Sequence, residues 1–242
     1  MVRKFKNHEV YLTIISSNRT HNIEKMTNHF GQATWIVPEE QVADYLDVGA
    51  KSVIGVGQGL SIARNVALER SFKKGLISLQ SDDDLTKISK WVAGKSEKIN
   101  PIKALEDMVL RLVLSDYCLA GVSPTANPYF ITQQNNTNLF VSNSLIAVKP
   151  SQPRFDTNLK LNQDYDFTLQ HILKYGGVQR CDDILPSYVH YSNKGGCKDY
   201  RTDQLEKEAA EYLFNKYPDM IETNPADNNK IQLKVKRNFR LK

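Results

Sequence analysis

The sequence predicts an α/β fold with a mostly parallel central sheet and a strand-rich C-terminal half, and three observations carry that reading. Apolar, β-branched runs of strand length alternate with helix-length segments from residue 10 to residue 80, the order that builds a parallel sheet covered by helices. Three of these runs end in polar clusters, Ser16 to Arg19, Pro38 to Glu40 and Asp82 to Asp84, and open sheets of this kind gather their ligand crevice at the C-terminal ends of strands. The 242 residues are 40% hydrophobic and 24% charged, enough apolar mass for one large core. We therefore read residues 1–242 as a single domain, with one half running to about residue 100 and a second half after it.

Val10 to Ser16 reads as the first buried strand, broken by the turn residues Ser17, Asn18, Arg19 and Thr20. A helix over Asn22 to Phe30 leads to a second strand, Ala33 to Val37. Pro38 stops it, and Glu39 and Glu40 favour the start of a new helix, where acids complement the dipole. Lys51 to Val56 is a third strand, Ser61 is placed to cap a helix reaching about Lys74, and Gly75 to Leu79 is the strand that delivers the acids. From Pro101 to Cys118, Ile102, Leu105, Val109 and Leu112 recur at helical spacing and predict a core-facing stripe. Strands are expected over Pro128 to Thr132 and Leu139 to Val148, on either side of the Asn/Gln-rich turn Gln133 to Asn138. Asp164 to Tyr175 and Arg201 to Lys216 read as helices. Ile231 to Lys236 alternates apolar and polar residues and predicts a last strand with its lysines on one face.

The net charge is +5, and the excess sits partly at the ends. Lys230, Lys234, Lys236, Arg237, Arg240 and Lys242 close the chain with no acid among them, and Arg3, Lys4 and Lys6 stand near its start. Such a stripe suits a polyanion, and equally a solvated tail. The cysteines, Cys118, Cys181 and Cys197, are odd in number and far apart, which fits reduced thiols. No run approaches the ~20 apolar residues of a membrane span. Met1 to Lys6 lacks the apolar core of a signal peptide. A cytoplasmic protein without a membrane partner is expected.

The run Leu79-Gln80-Ser81-Asp82-Asp83-Asp84-Leu85 carries the strongest chemical signal. Three consecutive carboxylates repel one another, and a divalent cation or the donors of a ribose and a pyrophosphate relieve the repulsion. A solvated acidic turn is the plain alternative. Gly55, Gly57 and Gly59 do not form the dinucleotide fingerprint, which needs three glycines in a fixed frame after the first strand. Lys194-Gly195-Gly196 could offer backbone N–H groups and one cation to a phosphate, or be a surface turn. Arg64 reads equally as a phosphate ligand or a surface ion pair. Asp164 reads as a base or as a helix cap, and His190 taken alone is most simply structural.

Gly59-Leu60-Ser61-Ile62-Ala63-Arg64-Asn65, Lys74-Gly75 and the strand ending in Asp82-Asp83-Asp84 resemble the core of the GT-A nucleotide-sugar glycosyltransferases. Further landmarks are similar to the TET-associated glycosyltransferases, phage enzymes that decorate hydroxymethylated pyrimidines in DNA. These are the Ser-x-x-Arg turn Ser16 to Arg19, Val37-Pro38-Glu39-Glu40 followed by Tyr45, Gln163-Asp164-Tyr165-Asp166-Phe167, and His190-Tyr191-Ser192-Asn193-Lys194-Gly195-Gly196. The resemblance spans roughly Val10 to Arg201 and implies a GT-A, Rossmann-like domain. Its first half would bind the nucleotide sugar and its second half the acceptor.

The resemblance also implies roles. Asp84 and His190 would hold Mn²⁺ or Mg²⁺; Asp82 would contact the ribose or sugar, and Asp83 would assist either. Ser16 and Arg19 would line the base or ribose pocket, with Glu39 beside it. Arg64, Lys194, Gly195 and Gly196 would meet the diphosphate. Asp164, second in the family's Glu-Asp pair, would be the base of an inverting transfer, with Asp166 as fallback; Gln163 stands where the family has Glu, so the first acid's role does not carry over. The expected activity moves glucose or arabinose from a UDP-sugar to 5-hydroxymethylcytosine in phage DNA, with Lys234, Lys236 and Arg237 touching the DNA backbone. The alternatives are the same chemistry on a polysaccharide or glycoconjugate, a metal-dependent nuclease, or a DNA-binding protein without catalysis.

Overall fold

The computed structural model describes residues 1–131, 135–188, 201–224 and 232–235. In chain order the strands and helices are β1 (Val2–Phe5), β2 (His8–Ile15), α1 (Ile23–Phe30), β3 (Thr34–Pro38), α2 (Val42–Asp47), β4 (Val53–Val56), α3 (Leu60–Phe72) and β5 (Ile77–Asp82). They continue with β6 (Leu85–Val92), β7 (Lys95–Ile99), α4 (Pro101–Leu114), β8 (Leu119–Val122), β9 (Asn135–Asn136), β10 (Ser142–Val148), α5 (Gln163–Tyr175), β11 (Gln179–Cys181) and β12 (Ile184–Tyr188). The last are α6 (Asp203–Lys216), β13 (Ile221–Asn224) and β14 (Gln232–Val235).

The large sheet has the order β4-β3-β2-β5-β10-β8-β11-β9, with β1 added to β2. β4, β3, β2 and β5 run parallel, as the alternation of strands and helices requires. β10 enters antiparallel to β5 and to β8, and β11 pairs parallel with β8. The fold is thus the expected α/β class, its parallel block belonging to the first half and its mixed block to the second.

Helices cover both faces because successive strand residues point in opposite directions. Val10, Leu12, Ile14 and Leu79 face α1 and α4, against Met26, Phe30, Leu105, Met108 and Leu112. The opposite face packs Ile15, Ile36 and Val56 on Ala63 and Ala67 of α3. Further along, Ile146 and Val148 meet Phe167, Leu169 and Ile172 of α5 and Leu213 of α6. The predicted stripe on the 101–118 helix is therefore core, although α4 ends at Leu114.

Three expectations fail, the first in the segment expected as a turn from Gln133 to Asn138, where Asn135–Asn136 form β9 by pairing antiparallel with β11. Pro128–Phe130 is a 3-10 turn and not a strand, because the Asn127 side chain accepts from the Tyr129 N–H at 3.0 Å and closes the chain locally. Ser61 does not cap α3; Gly59 does, at φ 130°, while Ser61 Oγ reaches the Leu159 carbonyl at 3.4 Å. A second sheet, β12-β6-β7, was not expected and grows directly out of the acid run. None of the described helices is long and apolar enough to cross a membrane.

Candidate active site

The acids stand where β5 ends. Asp82 is the last residue of β5, Asp83 and Asp84 make the turn, and Leu85 opens β6. The strand alternation sends the middle acid inward: Asp83 is 1% exposed, while Asp82 and Asp84 are half-buried on either side of it. Asp83 accepts from Ser16 Oγ and from Arg19 Nη1, the latter at 2.8 Å. Ser16 Oγ is in turn 2.5 Å from the Tyr45 hydroxyl, which accepts from the Arg19 N–H at 3.1 Å. Burial drives the Asp83 carboxyl above its ordinary range, and Arg19 and Ser16 draw it part of the way back.

This arrangement gives Ser16 and Asp83 structural parts. Ser16 is buried beneath the acid turn and holds Asp83, its other partner Tyr45 lining the neighbouring cavity, and Asp83 anchors the turn from within. Arg19 sits at the rim, 2.8 Å from Asp83 and 3.3 Å from Asp84. Burial and repulsion from Asp82 and Asp83 push the Asp84 carboxyl up to about 7, against the pull of Arg19.

Arg64 is no surface ion pair. It is 1% exposed on the inner side of α3, donates to Asp82 at 2.6 Å and lies 3.4 Å from Gln80 Oε1. Its Nε is buried without a hydrogen-bond partner. Its neighbour Asn65 turns the other way and clamps the loop before α5, donating to the Phe155 carbonyl and accepting from the Phe155 N–H, both at 2.8 Å. That clamp helps place the first turn of α5 over Arg64.

Asp164 lies in that first turn. The cap of α5 is Asn162, in the left-handed region at φ 58°, so the capping alternative for Asp164 is not realised. Burial raises the Asp164 carboxyl to about 6; the backbone N–H groups of Asp164 and Tyr165 and the charge of Arg64 oppose this, and Asp82 adds to it. Asp164, Arg64 and Asp82 thus share one electrostatic site. Asp166 does not belong to it. It is fully buried, 2.7 Å from both Lys216 Nζ and the Tyr217 hydroxyl and 2.6 Å from Gln170 Nε2, and so ties α5 to α6. We correct its fallback role as base to a structural one.

Sequence reasoning missed Tyr188 and Asn143 here, and left Gln163 without a role. The Tyr188 hydroxyl donates to the Ser144 carbonyl at 3.1 Å, its pKa raised chiefly by burial and then by Asp82 and Asp84. Gln163 Oε1 and both side-chain polar atoms of Asn143 are buried and unpartnered. Gln163 adjoins Asp164, and Asn143 lies on β10, which pairs with β5 up to the acids. Buried polar atoms left unpaired cost about 1–3 kcal/mol each, and a polar ligand would relieve that cost. No local sequence signal distinguishes Asn143 from other amides.

An open cavity of about 430 Å³ adjoins Arg19, lined by Asn18, Thr20, Gln41, Asp44, Tyr45, Asp47 and Val48. It lies at the C-terminal ends of β2 and β3, where a ligand was expected, and its size suits a small molecule. Glu39 is exposed and packs against Gly55, where a Cβ would collide with its carboxylate. His190, Lys194, Gly195, Gly196, Lys236 and Arg237 lie outside the described residues, and Lys234 is described only as backbone in β14, opposite Glu222.

Asp82 and Asp84 supply hard carboxylate oxygens of the kind Mg²⁺ and Mn²⁺ take, and Mg²⁺ sites commonly use one or two carboxylates with water and substrate phosphates. Two carboxylates are the donors such an ion takes, and here Asp82 is paired with Arg64 at 2.6 Å and Asp84 with Arg19 at 3.3 Å. Among the described residues no group of three or more His, Cys, Asp or Glu is placed to hold a metal ion.

No family model matches this sequence, and no curated protein matches it. Among solved structures, the mannose-1-phosphate geranyltransferase from Thermus thermophilus is similar over 74% of this chain and 57% of that one, at 9% identity and a TM-score of 0.33. The chain spans little more than half the length of that structure, and so loose a superposition carries no weight for function.

Proposed function

We propose that the protein is a metal-dependent glycosyltransferase that moves a sugar, glucose or arabinose, from a UDP-sugar to the hydroxymethyl group of 5-hydroxymethylcytosine in DNA. The observation that carries the reading is the gathering of Asp82 and Asp164 about the buried Arg64, beside Asp84. Asp82 and Asp84 flank a buried, anchored Asp83, and Asp164 stands across Arg64 from them with its pKa raised to about 6. Burial raises both the Asp84 and the Asp164 carboxyl, as at many functional sites, and a carboxyl near 6 suits a general base. The orphaned amides of Asn143 and Gln163 suit a hydroxyl-rich ligand.

In this reaction Asp164 accepts the proton of the acceptor hydroxyl as its oxygen bonds to the anomeric carbon. The bond from that carbon to the diphosphate oxygen breaks, and UDP leaves with the electron pair. Asp82 and Asp84 would hold Mn²⁺ or Mg²⁺, which supplies charge stabilisation to the leaving diphosphate. Arg64 keeps Asp82 in place, and Arg19 adds a cation at the rim between the acids and the cavity. The choice of DNA as acceptor rests on the sequence resemblance and on the basic character of the chain.

The test is intact-mass analysis of short duplexes with cytosine or hydroxymethylcytosine, incubated with the protein, Mn²⁺ and a panel of UDP-sugars. A pentose or hexose gain confined to the hydroxymethylated duplex is expected. UDP release without any DNA gain would move the acceptor to a glycan, and strand cleavage without a donor would replace the transferase by a nuclease.

A further inference from the structure

The hairpin β6–β7 carries a surface that the acid site does not use. Its tip, Ala93 at φ 47° and Gly94 at φ 83°, has both central residues in the left-handed region, the geometry of a tight two-residue turn that keeps the strands in register. Residues directly opposite on antiparallel strands share a face. Ile88 opposite Ile99 therefore points to the core, packed against α4, and on the same face Lys90 is tied to Asp107 at 2.6 Å. Lys87, Ser89 and Trp91 point the other way, with Lys98 opposite Ser89 and Ser96 opposite Trp91.

That outer face is basic. Lys87 and Lys98 are exposed around a buried Ser89, and Trp91 is half-buried. The hairpin has one acid, Glu97, and it falls opposite Lys90 on the inner face. Lys25 of α1 and Lys98 both act on His29, behind the larger effect of its burial, in lowering its pKa. Lys87 and Lys98 are diagonal neighbours, about 7–8 Å apart.

Position gives this surface its meaning. β6 begins one residue after Asp84, and at about 3.3 Å per residue Lys87 lies about 10 Å along the strand from the acid turn. The major groove of a duplex is about 12 Å wide. A backbone held by the lysines would lie within one groove width of the acid turn. We propose that the outer face of the β6–β7 hairpin, through Lys87 and Lys98, is a docking surface for the phosphate backbone of nucleic acid. The inference rests on the DNA-acceptor reading above and names where that acceptor lies.

The experiment measures fluorescence anisotropy of a labelled duplex over a salt series, with the parent, Lys87→Glu/Lys98→Glu, single Lys98→Gln, and Lys174→Glu as a reversal on the exposed side of α5. Thermal melting checks folding, and the single variant keeps the test open if the double one does not fold. Two lost phosphate contacts lower the slope of log affinity against log salt by about 2, and affinity at low salt falls more than about tenfold. Lys98→Gln lowers the slope by about 1, and Lys174→Glu leaves it unchanged. A parent that binds with folded hairpin variants keeping its slope and affinity overturns this inference alone. A parent that does not bind the duplex overturns both the inference and the DNA acceptor.

Discussion

Asp84→Asn should make the metal-free protein more stable at neutral pH, although it removes a residue central to the proposed chemistry. The Asp84 carboxyl is raised from 3.8 to about 7 by burial and by repulsion from Asp82 and Asp83. The native state therefore holds this proton more tightly than the unfolded chain does. The associated stability is complete below the unfolded value near 3.8 and is lost as pH rises through about 7. A displacement of roughly three pH units corresponds to about 4 kcal/mol as an upper bound, at 1.36 kcal/mol per unit. Relaxation of the half-buried turn and loss of the Arg19 contact reduce it, and about 2 kcal/mol is the expected gain for the asparagine above pH 7. The assay is urea unfolding of both proteins at pH 4, 6 and 8 with a chelator, repeated with Mn²⁺. The gap between variant and parent should widen in favour of the variant from pH 4 to pH 8, and Mn²⁺ should stabilise the parent more than the variant. A gap independent of pH, or a variant less stable at pH 8, would refute the account of the acid turn as a strained cation site.

Asp164→Asn should abolish transfer while UDP binding persists, and parental turnover should rise with pH around a midpoint near 6, the value set by burial of that carboxyl; normal turnover in the variant would remove Asp164 as base. Asp183→Ala should cost about 3–5 kcal/mol in urea unfolding, because Asp183 is fully buried and accepts from Arg111 at 2.6 and 2.8 Å, and its loss leaves that guanidinium's charge under-compensated. A loss below about 1 kcal/mol would show that this link among α4, β6 and the β11–β12 turn is not a structural clasp.

Periodicity and local chemistry made the α/β class legible. The strands β2, β3, β4 and β5 and the helices between them are each announced by an apolar run and a nearby turn or cap signal, and parallel pairing follows from their order. The short strands β8, β11 and β12 and the hairpin β6–β7 were hidden, because they have few residues, and β6 and β7 mix lysines with hydroxyls in a pattern that also reads as loop. Their partners are supplied from far along the chain, as when Leu185 meets Ser89.

The sequence by itself determined which residues end the central strands, and with them the acid run, Arg64 and Asp164. Only the tertiary structure decided how they divide the work. Asp83 and Ser16 turned inward because Arg19 and Tyr45 meet them beneath the sheet's edge, and Asp166 became a tether because α6 brings Lys216 and Tyr217 to it. Which of two neighbouring carboxylates is buried and paired depends on partners contributed by distant elements. Local pattern carries no record of those partners, and the cost of an unpaired buried charge enforces the choice.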